Sequence, residues 1–142
     1  MRTRLPFAVL LGVVLVAAGC SSNKGGRVAG KVTLNGTPVG GAKVVFVQSA
    51  AGQGLPIQVG TITKDDGSYE IARIDPGSYK VTVKKLVAKP GAKDNTPLEV
   101  LEASGQATNS LPAKYADVKT TDLTATVNAG EKKEVNLDLK GK

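Results

Sequence analysis

The sequence predicts an all-β fold, a seven-stranded antiparallel β-sandwich, on three observations. Beyond residue 26, apolar and polar residues alternate in short runs, the period of two that a half-buried strand requires. Turn-forming clusters separate those runs at Asn35-Gly36, Gly40-Gly41, Asp65-Asp66-Gly67, Asp75-Pro76-Gly77 and Asn128-Ala129-Gly130. No long stretch carries the period of an amphipathic helix, so the apolar faces must pair sheet against sheet.

The first strand is Arg27 to Leu34. Val28, Val32 and Leu34 share one face, and Arg27, Lys31 and Thr33 the other. Asn35-Gly36 is a strong hairpin signal, because both residues tolerate positive φ. Ala42 to Gln48 forms the second strand, with Val44 and Phe46 toward the core, and Gln58 to Thr63 forms the third after a Gly- and Pro-containing loop from Ser49 to Pro56. The last two strands are Leu123 to Val127 and Glu134 to Leu139. Aromatic residues are scarce, so Val, Ile and Leu must build the core around Phe46, Tyr69 and Tyr79.

The fourth and fifth strands open on an internal echo. Asp65-Asp66-Gly67-Ser68-Tyr69-Glu70-Ile71 is followed by Asp75-Pro76-Gly77-Ser78-Tyr79-Lys80-Val81. The acidic residues admit two interpretations, a cation loop or a bend. A calcium loop needs about 6–8 oxygen ligands, and only Asp65 and Asp66 stand ready. Bends explain both copies: Asp bonds nearby amides, Pro presets φ, and Gly accepts positive φ. Each Gly-Ser-Tyr then opens a strand: Tyr69 and Ile71 alternate with Ser68 and Glu70, and Tyr79, Val81 and Val83 alternate with Lys80, Thr82 and Lys84.

Residues 86–122 are too long for an ordinary hairpin loop and contain Pro90, Pro97 and Pro112, with a short helix expected near Leu98 to Ala103. A specific binding surface is expected first here, around Leu111, Lys114 and Tyr115; the alternative is an ordered loop packed along the sandwich by Leu111 and Tyr115. Lys84, Lys85, Lys89 and Lys93 cluster beside it, either as a solvated loop or as an attraction for anionic lipid or an acidic envelope polymer.

The amino-terminal residues carry an address. Arg2 and Arg4 precede an apolar run of 14 residues, Leu5 to Ala18, which ends in Ala17-Ala18-Gly19-Cys20. This is an export-signal pattern, and the run is shorter than the roughly 20 residues of a membrane-spanning helix. The stretch before Cys20 resembles the lipobox of bacterial lipoproteins, with Ala17 in place of the commoner leucine. That likeness implies cleavage after residue 19, a diacylglyceryl group on the Cys20 thiol, and a flexible tether over 20–26, ahead of a domain over 27–142. Ser21 would permit transit to the outer membrane under one bacterial sorting rule. The expected location is the bacterial cell envelope, at the outer membrane or cell surface. With its single cysteine the chain has no internal disulfide. Loss of residues 1–19 removes two cations, and the net charge falls from +7 to +5; the remaining cations are scattered among acids, and nucleic acid is not an expected partner.

Val28-Ala29-Gly30-Lys31-Val32, Gly36 through Phe46, Thr63 through Tyr69 and Asp75 through Val83 together resemble the carboxypeptidase regulatory-like domain. The tail from Leu111 to Tyr115, followed by Leu123 to Val127, is similar to the ending of short lipoproteins of the planctomycete type. The resemblance implies a transthyretin-like (prealbumin-like) Greek key among carbohydrate-binding-like folds; Lys64 departs from the acidic residue often found there. It does not imply peptidase chemistry: the chain has no histidine, so His-based zinc sites and Ser-His-Asp or Cys-His catalysis are excluded. No cofactor or metal site is expected. A covalent Lys–Asn amide, as in surface adhesins of similar architecture, would need Lys31 or Lys43 to face Asn136. The expected function is a non-enzymatic, lipid-anchored envelope module for structure or protein interaction, with polysaccharide binding as the alternative.

Overall fold

The computed structural model describes residues 24–48, 56–93 and 95–141. Cys20, the export signal and most of the loop from Ser49 to Pro56 lie outside them.

The body is two facing sheets. One centres on β1 (Gly26–Leu34), which pairs antiparallel with β2 (Thr37–Pro38) and β5 (Ser68–Ile74), and parallel with β10 (Lys132–Glu134) and β11 (Leu137–Leu139). The other has the order β4 (Ile57–Ile62), β3 (Lys43–Gln48), β6 (Gly77–Lys84), β9 (Thr124–Val127), all antiparallel. Between the sheets lie Val28, Val32, Val44, Phe46, Tyr69, Ile71, Tyr79, Val81, Val83, Val127 and Leu139, all buried. The alternation read from sequence therefore selects the inward faces correctly. Phe46 sits between Tyr69 and Tyr79, with ring centroids 6.2 and 6.1 Å away.

Two expectations on strand number and direction are corrected. The described residues hold eleven strand segments, not seven. Asn35-Gly36, with φ of 52° and 84°, forms a two-residue hairpin loop whose return arm is the extra strand β2. The final strand is split, and its halves run parallel to β1, so the sandwich is not wholly antiparallel. At the break, the Val135 N–H donates to the Ala29 carbonyl (2.8 Å), and the Asn136 side-chain oxygen accepts the Lys31 N–H (2.9 Å). The Val135 carbonyl accepts the Tyr69 hydroxyl at 2.6 Å. This close approach needs a residue without a side chain on β1: a methyl group on Gly30 would stand 1.9 Å from the Val135 oxygen.

The described residues between 86 and 122 form a second unit. β7 (Leu86–Ala88) pairs with β8 (Ala107–Asn109), and α1 (Leu98–Ala103) packs on that hairpin through buried Leu101. A 3-10 turn at Ala113–Tyr115 follows. No helix among the described residues is long and apolar enough to cross a membrane.

Candidate functional site

The Asp66 carboxylate shapes the backbone of the first acidic bend. The Asp66 carboxylate accepts the Ser68 N–H (3.0 Å) and hydroxyl (2.6 Å), while Gly67 takes φ of 77°. The Ser68 hydroxyl, followed by its amide, holds the Asp66 carboxyl below the ordinary carboxylate range. In the second copy the Tyr79 hydroxyl donates to the Asp75 carbonyl at 2.6 Å, closing its own corner. Tyr69 instead reaches across the sheet to Val135, so the repeated motif performs two different structural tasks. Among the described residues no group of three or more His, Cys, Asp or Glu side chains could hold a metal ion.

The binding surface expected around Leu111 and Tyr115 is not exposed. Leu111 is 6% and Tyr115 2% accessible, both within the main core, and the Tyr115 oxygen accepts the Lys140 N–H (2.9 Å). Lys114 remains outside, its amine 4.5 Å from the Tyr115 ring centroid and 3.3 Å from Asp122. Those residues therefore fasten the long segment to the sandwich. The lysine cluster is partly engaged: Lys84 pairs with Glu102 (3.2 Å), and Lys89 donates to the Gly105 carbonyl (2.8 Å). Asn136 gives its amide to Glu134 (3.0 Å) and accepts only the backbone N–H of Lys31, while the Lys43 amine pairs with Glu99.

A different surface emerges on the outer face of the four-stranded sheet. β3 reads Val44-Val45-Phe46-Val47, so it is apolar on both faces: Val44 and Phe46 enter the core, whereas Val45 and Val47 look outward. Gln58 and Ile62 of β4 and Thr82 and Lys84 of β6 extend that outer floor. α1 supplies one wall through Leu98, Glu99 and Glu102; Leu86, Ala116 and Val118 close the rest. The result is an open groove of about 480 Å³. Ile62 is 65% exposed at its lip, and Leu98 40%.

Its charges are spent on one another. Glu99 lies 3.6 Å from Lys43, and Glu102 3.2 Å from Lys84. Each pair is more than one-third exposed, so it contributes about 0–1 kcal/mol of stability, but it leaves the wall nearly neutral. Neither carboxylate is placed as a free acid or base; the groove offers apolar contact and hydrogen bonding. Sequence reasoning missed Val45, Val47 and Ile62, although the unbroken apolar run of β3 was the signal that both its faces would be needed.

The match to known families agrees with this architecture. The family model for the carboxypeptidase regulatory-like domain covers residues 27–140. That family is generally non-catalytic. Among curated proteins, none matches the chain. With its two-sheet body and a match spanning nearly every described residue, the chain belongs to the carboxypeptidase regulatory-like domain family.

Proposed function

We propose that the protein is a non-enzymatic interaction module of the bacterial cell envelope, held to the outer membrane or cell surface by a lipid on Cys20. The observation that carries the interaction role is the outer groove, where outward Val45 and Val47 meet exposed Ile62 and Leu98 and where the lysines and glutamates are mutually paired. Such a surface suits a protein segment better than a charged ligand. The anchor rests on the small-residue run before Cys20 and on the brevity of the apolar stretch. Two or more acyl chains hold a protein firmly where one holds it marginally.

Polysaccharide binding is the less favoured alternative. Phe46, Tyr69, Tyr79 and Tyr115 are all buried, so the aromatics among the described residues present no ring face for sugar stacking. Labelled palmitate supplied to cells tests the anchor. The wild-type chain takes up label and sediments with membranes, and Cys20→Ser loses both properties. Equal labelling and equal sedimentation of that variant would refute it.

A further inference from the structure

Among the described residues, no strand pairs with the sheet edge beside the groove. Sheet edges invite strand addition, and natural proteins blunt them with charge, Pro, bulges or short length. The open edge of β5 is blunted in this way: it carries Glu70 and Arg73, and its register with β1 is broken by a bulge. β9, at the far side of the four-stranded sheet, has only four residues. β4 is six residues long, pairs only with β3 among the described residues, and from Ile57 to Ile62 contains no charge and no proline.

The ladder fixes which β4 groups face outward. Lys43 stands opposite Ile62, so Ala42 follows opposite Thr63, and the Thr63 N–H donates to the Ala42 carbonyl at 2.8 Å. Hydrogen-bonded pairs recur at every second residue, so Thr61, Val59 and Ile57 turn their amides toward β3. Gln58, Gly60 and Ile62 then turn theirs away from it.

We infer that this edge pairs with the same edge of a second copy of the chain, antiparallel about a two-fold axis at Gly60. Gln58 then faces Ile62 of the partner, Gly60 faces its own counterpart, and all three outward residues are paired. A two-fold contact brings each residue near its own copy, so a charge close to the axis would repel itself. β4 has none, and Lys43, opposite Ile62 on β3, is paired with Glu99. Gln58 and Ile62 also line the groove, so pairing covers the exposed Ile62 side chain and joins two grooves into one trough.

One six-residue strand pair buries less than the roughly 1,200 Å² of a standard stable interface, so association in free solution is weak. Confinement to a membrane would raise the effective concentration; that gain alone rests on the proposed anchor. The test therefore uses no lipid. The chain from residue 20 with Cys20→Ser, which prevents thiol cross-linking, is followed by amide NMR and sedimentation from micromolar to millimolar concentration. Concentration-dependent shifts centred on Gln58, Gly60 and Ile62 are expected, with a monomer–dimer equilibrium. Ile62→Lys, at an exposed side chain, should raise the dissociation constant at least about tenfold, and Gly60→Lys, with like charges at the axis, should do the same. A monomer at every concentration would overturn the inference, as would shifts centred elsewhere or unchanged association of both variants. So would β4 shifts that appear only when an extended apolar peptide is added. None of these results bears on Cys20.

Discussion

Gly30→Ala tests, with a single atom, the close approach of the final strand to β1 at Val135. The added methyl would sit 1.9 Å from the Val135 carbonyl oxygen and 2.6 Å from its carbon, and both neighbours are backbone. The final strand must therefore retreat. Overpacking of this kind costs about 1–3 kcal/mol. Retreat also pulls the Val135 carbonyl from the Tyr69 hydroxyl (2.6 Å), and an unsatisfied buried polar group costs about 1–3 kcal/mol more. Reduced freedom of the unfolded chain returns about 0.4–1 kcal/mol. The net loss is about 1–5 kcal/mol, a substantial part of the roughly 5–15 kcal/mol typical of a domain. Thermal unfolding followed by circular dichroism should show Tm falling by roughly 4–20 °C. Tyr69→Phe should also cost less in the Gly30→Ala background than in wild type, because its partner has already moved. A Tm within about 2 °C of wild type, or additive effects in the double variant, would refute the proposed coupling of Gly30, Val135 and Tyr69.

The hairpin glycine separates two reasons for having no side chain. At Gly36, φ is 84° and a methyl would meet nothing within 4 Å, so Gly36→Ala should cost only left-handed strain, about 1–2 kcal/mol, in urea unfolding. Alkaline unfolding should report Tyr69: burial raises its hydroxyl pKa well above the ordinary value of 10.0, so the folded state favours the protonated form. The stabilisation is complete below about pH 10 and is lost as pH rises beyond it, by up to about 1.4 kcal/mol per pH unit. Tyr79 is shifted the same way, by burial and then by Asp75. Denaturant titrations from pH 8 to 12 should therefore steepen above about pH 10, and Tyr69→Phe should flatten the profile.

Local rules made much of the fold legible. Val28, Val32, Val44, Phe46, Tyr69 and Tyr79 all lie inward as alternation demands, and Asn35-Gly36 and Asp65-Asp66-Gly67 form the expected bends. The helix from Leu98 to Ala103 has the expected bounds. Sheet order was not legible, because pairing of β1 with β11 joins residues more than a hundred positions apart and depends on Gly30 lying close against Val135. Leu111 and Tyr115 show the same limit for the site. An apolar or aromatic residue in a long loop can face a ligand or the core, and here the core wins, with the Tyr115 oxygen satisfied by Lys140. The groove stayed hidden because its floor and its α1 wall come from strands and a helix far apart in the chain.

The envelope role stands most directly on the state of Cys20. Mass spectrometry of the amino-terminal peptide from the membrane-extracted protein should find a chain beginning at Cys20 with a diacylglyceryl thioether on its sulfur. A peptide that retains residues 1–19, or one that begins at Cys20 with a free thiol, would contradict the anchored module.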